Sequence, residues 1–489
     1  LHAIEHGTEP AASMGAFIAE RIVRCHLQTM ARLNIDYALL TWESDILRLK
    51  FWARAFEVLK EQNAVFLQTE GRLAGCWVMT IDEDPAAPTV ADLYGELDAD
   101  RTTEVMTVNI GPHHPATHGV LRLVVDLEGE VVRDLKPVIG YVHPGIEKSC
   151  EDKSYWKVIP FVERMDYVSY FFQMEAYCGA VERLIGLELP PRAKYLRTIF
   201  LELNRIHSHL VWLGTTALDL GAISMLWYCF RERDRILDLF EMATGQRMHT
   251  RYFQVGGVIE DIPLGFEEKC RQFVHDMPIR VGQYEALLDR NEVFLQRTKG
   301  VGVVSRERLL DLGVTGPLLR AAGDPWDLRK AFDYLAYPEM DFKIPVGTVG
   351  DNYDRYRVRV AEMVESSKII GQALEALPGG PFIADDRKYV LPPRSELSTS
   401  MESLIHHFKL VTEGFRVDPG EIYYAIEGPR GELGCFVLAD GSSKPARVHF
   451  RDPSFVNLQA FRDMAKDSYV ADMICSLGML DPILGGVDR

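Results

Sequence analysis

Apolar residues at Leu196, Ile199, Leu203, Ile206, Leu210, Leu213 and Ala217 recur in alternating steps of three and four. That spacing lays one continuous apolar seam along a helix. The helix opens at Arg192, directly after Pro190-Pro191, which close the segment before it. The same reasoning predicts helices over residues 232–244, with Gly245 as the stop, and over residues 354–377, ended by Pro378-Gly379-Gly380. Short runs rich in Val, Ile, Leu and Thr predict strands at 104–110, 120–127 and 131–135, with a turn at Glu128-Gly129-Glu130. Strands return around 421–437. Between the first two strands lies GPHHPATHG, residues 111–119, a loop whose Pro and Gly content leaves the backbone few options. The pattern as a whole predicts a mainly helical α+β protein, a bundle with small sheets at its ends.

The first eighty residues read as a separate piece. Residues 17–33 and 45–60 carry helical spacing, which predicts a helical appendage, and the acidic, Pro- and Ala-containing stretch after Met79 reads as a linker. The expected divisions are 1–81, a linker at 82–102, and one large domain over 103–489. Residues 211–230 hold a single charge, Asp219, and are long enough to span a bilayer. A central Asp costs roughly 2.5–3.5 kcal/mol on insertion scales, and Gly214 and Gly221 interrupt the run. A buried helix of a soluble core is the better reading, and Asp219 then needs a partner.

Composition narrows the function classes. The formal charge of -17 argues against broad binding to nucleic acid or an anionic lipid surface. No two of the eight cysteines form a C-x-x-C pair, and no basic segment followed by an apolar run opens the chain. Reduced, mostly buried cysteines are expected, and any cluster held by grouped thiols must belong to another chain.

Three residues stand out chemically. His118 lies in the Pro/Gly loop, Tyr167 in RMDY at the start of a helical segment, and Asp219 in the otherwise uncharged run. Taken singly, each has a plainer role: a solvated loop histidine, a core aromatic, a buried acid paired to backbone or arginine. Nothing in their spacing brings the three together.

A set of motifs does. TVNIGPHHPATHGVLRL, IGYVHPGIEK, RMDYVSYF, LPPRAKYLRTIFLELNRIHSHL, LGTTALDLGA, FRERDRILDLFEMATGQRMH, SMESLIHHFKLVTEGF and the terminal DPILGGVDR resemble, in order, the hydrogenase-like D subunit of bacterial complex I. The resemblance covers about four-fifths of the chain. It implies the fold of the nickel–iron hydrogenase large subunit and a place in the peripheral arm of a proton-pumping NADH:quinone oxidoreductase, on the cytoplasmic face of the bacterial inner membrane. It implies quinone as substrate, with iron–sulfur clusters and FMN carried by partner subunits and no group bound covalently here. The implied partners are the iron–sulfur subunit beside the quinone cavity and the membrane-arm quinone-channel subunit, through which membrane contact would run. In that family the positions of His118 and Tyr167 bind the quinone head group, and Asp219 pairs with the loop histidine. The chemistry suits those residue types: quinone reduction consumes two electrons and two protons, and phenol and imidazole are donors able to release protons.

A hydrogenase would need two C-x-x-C pairs to hold nickel. Asp166 and Ser169 stand at the first pair of positions, Ile483 and Gly486 at the second, so a nickel site is excluded. Ile483 is carried over as a residue near the quinone end. A related complex fed by ferredoxin or a deazaflavin is the alternative. His113-His114 and His406-His407 are adjacent pairs rather than metal-binding i, i+4 pairs. Residues 231–235 read as a salt-bridged helix face, and Pro144 stands where mitochondrial relatives resemble H-R-G. At the other end, HLQTMARLNIDYALLTWESDIL and EGRLAGCWVM resemble a fragment of a bacterial arginyl-tRNA synthetase. That fragment lacks the nucleotide signatures, so no catalytic role and no nucleic-acid partner is assigned to it. A truncated fusion or a joined reading frame is the expected origin.

Overall fold

The computed structural model describes residues 105–489, together with Lys60, Phe66–Leu67 and Trp77–Val78. The chain divides into two compact units, Leu1–Arg101 and Thr102–Arg489. Within the first, Phe66–Leu67 pairs antiparallel with Trp77–Val78. The synthetase-like fragment, its helical appendage and the linker otherwise lie outside the described residues.

The second unit is mainly helical with small antiparallel sheets. Strands β1 (Met106–Ile110), β2 (Arg122–Glu128) and β3 (Val131–Val138) form a meander in that order. On β2 inward Leu123, Val125 and Leu127 alternate with half-exposed neighbours, the period of two that a one-faced sheet requires. In the bundle, α1 (Tyr155–Val162) and α2 (Tyr170–Ile185) lead into α3 (Pro191–Asp219), α4 (Ile223–Thr244) and α5 (Phe266–Leu288), and α6 (Asn352–Glu375) packs across α3. A second meander follows, β4 (Gly420–Gly428), β5 (Gly431–Ala439) and β6 (Arg447–Arg451). Helix α7 (Val470–Leu480) and the short α8 (Leu484–Val487) close the chain.

Every residue of the predicted seam on α3 is buried, but so are Arg197, Glu202, Asn204, Arg205, His207, Ser208 and His209 on its other faces. The seam reading is thus too narrow. Charged residues enter the core because they neutralise one another there: Arg197 pairs with Glu182 at 2.6 Å, and Glu202 with Arg205 at 3.1 Å and Arg329 at 3.3 Å. The uncharged run 211–230 is not one helix. Its chain leaves α3 at Asp219, turns through Gly221 at φ +84, and starts α4 at Ile223. Asp219 therefore stands exposed at a helix end rather than buried in mid-helix. Among the described residues no helix is long and apolar enough to cross a membrane. Helix α4 begins nine residues before the predicted start but ends where expected, with Gly245 left-handed at φ +76. The six described cysteines are all buried.

Candidate active site

The loop at 111–119 is built around Thr117 rather than around its histidines. The buried Thr117 hydroxyl donates to the His114 carbonyl at 2.9 Å, and the Leu121 amide returns to the Thr117 carbonyl at 3.1 Å. Gly111, at φ +81, lies so close to the Leu121 carbonyl that a Cβ would sit 2.3 Å from it. His118 takes the left-handed conformation at φ +54. Its side chain makes no hydrogen bond with the described residues. The ring keeps open surface, yet the surrounding protein strips away water and, with the Arg430 charge, pushes its pKa below the ordinary histidine value. The ring thus combines open surface with desolvation by the protein around it. It is neutral at pH 7, with one N–H to donate.

Tyr167 stands on the turn between α1 and α2. The Asp166 carboxylate shapes that turn, accepting from the Val168 amide at 3.1 Å, the Ser169 amide at 2.9 Å and the Ser169 hydroxyl. Asn204 and His207, on α3, both bind the Val168 carbonyl, at 3.0 and 3.1 Å. The turn is therefore bolted to the bundle while the Tyr167 side chain remains 41% exposed. Burial first, then the neighbouring Asp166, raises its phenol pKa, and Arg430 offsets part of this. The phenol stays protonated at neutral pH.

Both residues feel Arg430, which the sequence reading did not single out. Pro429-Arg430 is the two-residue tip of the β4–β5 hairpin, between the paired Gly428 and Gly431. The tip is buried: Arg430 donates to Asp166 Oδ2 at 2.8 Å, to Ser169 Oγ at 3.3 Å and to the Asp481 carbonyl at 2.9 Å, and its Nε lies 3.1 Å from Asp481 Oδ2. One guanidinium fork thereby ties the turn carrying Tyr167 to the C-terminal segment 481–486. Ile483 is itself buried, its amide donating to Ser454 Oγ at 3.3 Å. The only signals for this hub in the sequence were the acidic residue before Tyr167 and the Gly-Pro-Arg-Gly tip.

Asp219 is held from a different direction. Trp212 and Thr216 of α3 both donate to the Gly478 carbonyl of α7, at 2.9 and 3.3 Å. Helix α7 also carries the 3-10 turn Pro115–Thr117 of the His118 loop. One helix thus supports both the loop and the Asp219 end of α3. Desolvation raises the Asp219 pKa. No hydrogen bond or ion pair joins it to His118 among the described residues. His118 and Tyr167 thus both feel the charge of Arg430, and Asp219 shares the α7 scaffolding of the His118 loop. A separate cavity of about 450 Å³, lined by residues including Gly111, His114, Val470 and Ile474, lies along the loop without His118 or Tyr167 in its wall.

With this geometry in view, comparison with known proteins gives one answer. Residues 219–489 match the family of the respiratory-chain NADH dehydrogenase 49 kDa subunit. The chain is 53% identical to the second D subunit of the NADH-quinone oxidoreductase of Chloroflexus aurantiacus over 390 residues, 79% of this chain and 95% of that protein. It is 48% identical to the NADH-quinone oxidoreductase D subunit of Geotalea uraniireducens over 79% of this chain and the whole of that protein. The corresponding D subunit of Acidothermus cellulolyticus is 47% identical over 83% and 98%. The chain belongs to the family of the 49 kDa, or D, subunit of respiratory NADH dehydrogenase.

Proposed function

We propose that this chain is a peripheral-arm subunit of a proton-pumping NADH:quinone oxidoreductase, and that it reduces quinone between His118 and Tyr167. The observation that carries the reading is that both side chains keep open surface, are stripped of water, and answer to the same buried guanidinium. A quinone carbonyl gains basicity as electrons arrive. A neutral phenol and a neutral imidazole N–H, each held with its proton at pH 7, are the donors that such an oxygen requires. The two electrons come from an iron–sulfur cluster of a neighbouring subunit, reduced in turn by NADH through that complex's FMN. Asp219 pairs with His118 and tunes it, and losing the proton or contact of His118 moves the loop and Asp219, which share α7 as scaffolding. Ile483, which is buried, is carried over from the family as a residue near the quinone end.

The finer parts of this reading follow the family. The bundle is hydrogenase-like, a reading supported by the meeting of Asp166 and Ser169 with Asp481 at Arg430. The iron–sulfur subunit and the membrane-arm quinone-channel subunit are the neighbours, and they hold the chain at the cytoplasmic face of the bacterial inner membrane. Residues 1–81 are a synthetase-like fragment and 82–102 its linker. The test is inhibitor-sensitive NADH:quinone turnover of the purified assembly. His118→Ala and Tyr167→Phe should each assemble, keep NADH oxidation by ferricyanide, and lose quinone turnover at least tenfold. Normal quinone turnover in assembled variants would reduce the residues to structural roles.

A further inference from the structure

Behind the Arg430 hub lies a carboxylate to which no cation is bonded among the described residues. Asp452 is buried, and the donors to its oxygens are neutral: the Ser454 amide at 2.8 Å and the Gln173 side-chain amide at 3.2 Å. Arg430 is already committed to Asp166 and Asp481. Three buried carboxylates therefore crowd one bonded guanidinium. Arg359 stands near Asp481 but donates to the Met479 carbonyl, and Arg489 reaches out to Glu147. Gly486 of α8 presses against Asp452, where a Cβ would lie 2.3 Å from Oδ2. This is one of the positions that a nickel-binding relative would fill with cysteine.

A buried ionised carboxylate with no bonded counter-charge is costly, and the cheapest relief is a proton. The Gln173 amide donates from Nε2 to Asp452, a neutral contact that the unprotonated oxygen of a carboxylic acid accepts as well as a carboxylate does.

We propose that Asp452 holds a proton in reserve for quinone reduction, standing next to Asp166 and so behind the turn that presents Tyr167. The proposal rests on the quinone reading above. The groups facing Asp452 are Asp166 from that turn, Arg430 from the hairpin, Gln173 from α2 and Arg489 from the C-terminus. Burial first, then the Asp166 charge, raises its pKa to about 6. The balance is simple. Quinone takes two electrons from the NADH-reduced carriers of the partner subunits and two protons to become quinol. One proton leaves the Tyr167 O–H, and the second leaves the His118 N–H as the other ring nitrogen takes one from solvent; the phenolate is reprotonated from the Asp452 carboxylic acid, and the resulting carboxylate reloads from solvent.

The experiment is the pH profile of NADH:quinone turnover between pH 5.5 and 8.5 in the assembled enzyme. Wild type, Asp452→Asn, Asp452→Glu and Tyr167→Phe are compared, with subunit content checked in each preparation. Asp452→Asn should cut turnover three- to tenfold near pH 5.5 and converge on wild type at pH 8, where the wild-type carboxylate is itself unloaded. Asp452→Glu should restore the low-pH activity with a displaced inflection. Superimposable wild-type and Asn profiles, or a uniform loss at every pH that Glu does not repair, would overturn the proposal. If the Asn variant does not assemble, an unmoved inflection in the Glu variant does the same. Full turnover in Tyr167→Phe would instead overturn the quinone-site reading, so the two failures are distinguishable.

Discussion

Arg430, at the tip of a buried hairpin, donates at 2.8 Å to Asp166, the residue immediately before Tyr167 in the chain. That bond spans 264 residues of sequence and makes the position of Tyr167 depend on a distant turn. The same fork holds Asp481, so removing it leaves two buried carboxylates uncompensated. Breaking one partner of a buried pair costs about 3–5 kcal/mol. Arg430→Met should lower the unfolding free energy of the subunit by that order and abolish quinone turnover. Arg430→Lys, which keeps the charge but not the fork, should recover stability better than activity. Denaturant unfolding together with turnover checks both halves.

Gly485 adjoins the other side of that turn. A Cβ there would stand 2.4 Å from the Met165 carbonyl, a backbone atom that cannot swing aside. Gly485→Ala should push residues 165–167 away from the C-terminal segment, costing about 1–3 kcal/mol. Because Tyr167 moves with the turn, the KM for quinone should rise severalfold while ferricyanide reduction is unchanged. Steady-state kinetics on the assembled variant would show whether the contact is as rigid as the backbone implies.

The buried histidines set an acid limit on the fold. Burial lowers the pKa of His209 to about 4 and of His207 to about 3. His209 is thus neutral, donating Nε2–H to ionised Glu362 at 2.9 Å. In the unfolded chain both rings titrate near the ordinary value of 6.5. The folded state therefore binds fewer protons than the unfolded state between pH 6.5 and 4, and stability falls as pH drops through that window. The loss for His209 alone reaches about 3 kcal/mol at pH 4. The melting temperature should drop steadily from pH 7 to pH 5. His209→Gln, which keeps a donor to Glu362 without a titrating ring, should flatten the slope.

Much of the site was legible in the chain. The three strands around GPHHPATHG, the Gly245 stop and the helix over 354–377 follow from local spacing, and each forms within two or three residues of its expected bounds. The mixed-charge run at 231–235 is a salt-bridged helix face as read, Glu232 holding Arg231 at 2.7 Å and Arg235 at 2.9 Å. His118, Tyr167 and Asp219 were visible as residue types suited to moving protons.

Periodicity could not show which polar side chains are buried. A helix surrounded on all sides, such as α3, looks amphipathic until its charged residues meet their counter-ions on other elements. Asp219 was read as a buried acid because its neighbours in sequence are apolar, but the chain breaks at Gly221 and leaves it at a helix end. Asp452, Asp166 and Arg430 lie on three separate segments, so the buried excess of carboxylate over guanidinium exists only after folding. Sequence by itself determined the local elements, the donors in the loop and turn, and the absence of the four nickel-binding thiols, because each depends on neighbours along the chain. Tertiary structure alone decided which donors share one electrostatic field and which carboxylate goes unpaired, because burial and charge pairing are properties of groups brought together across the chain.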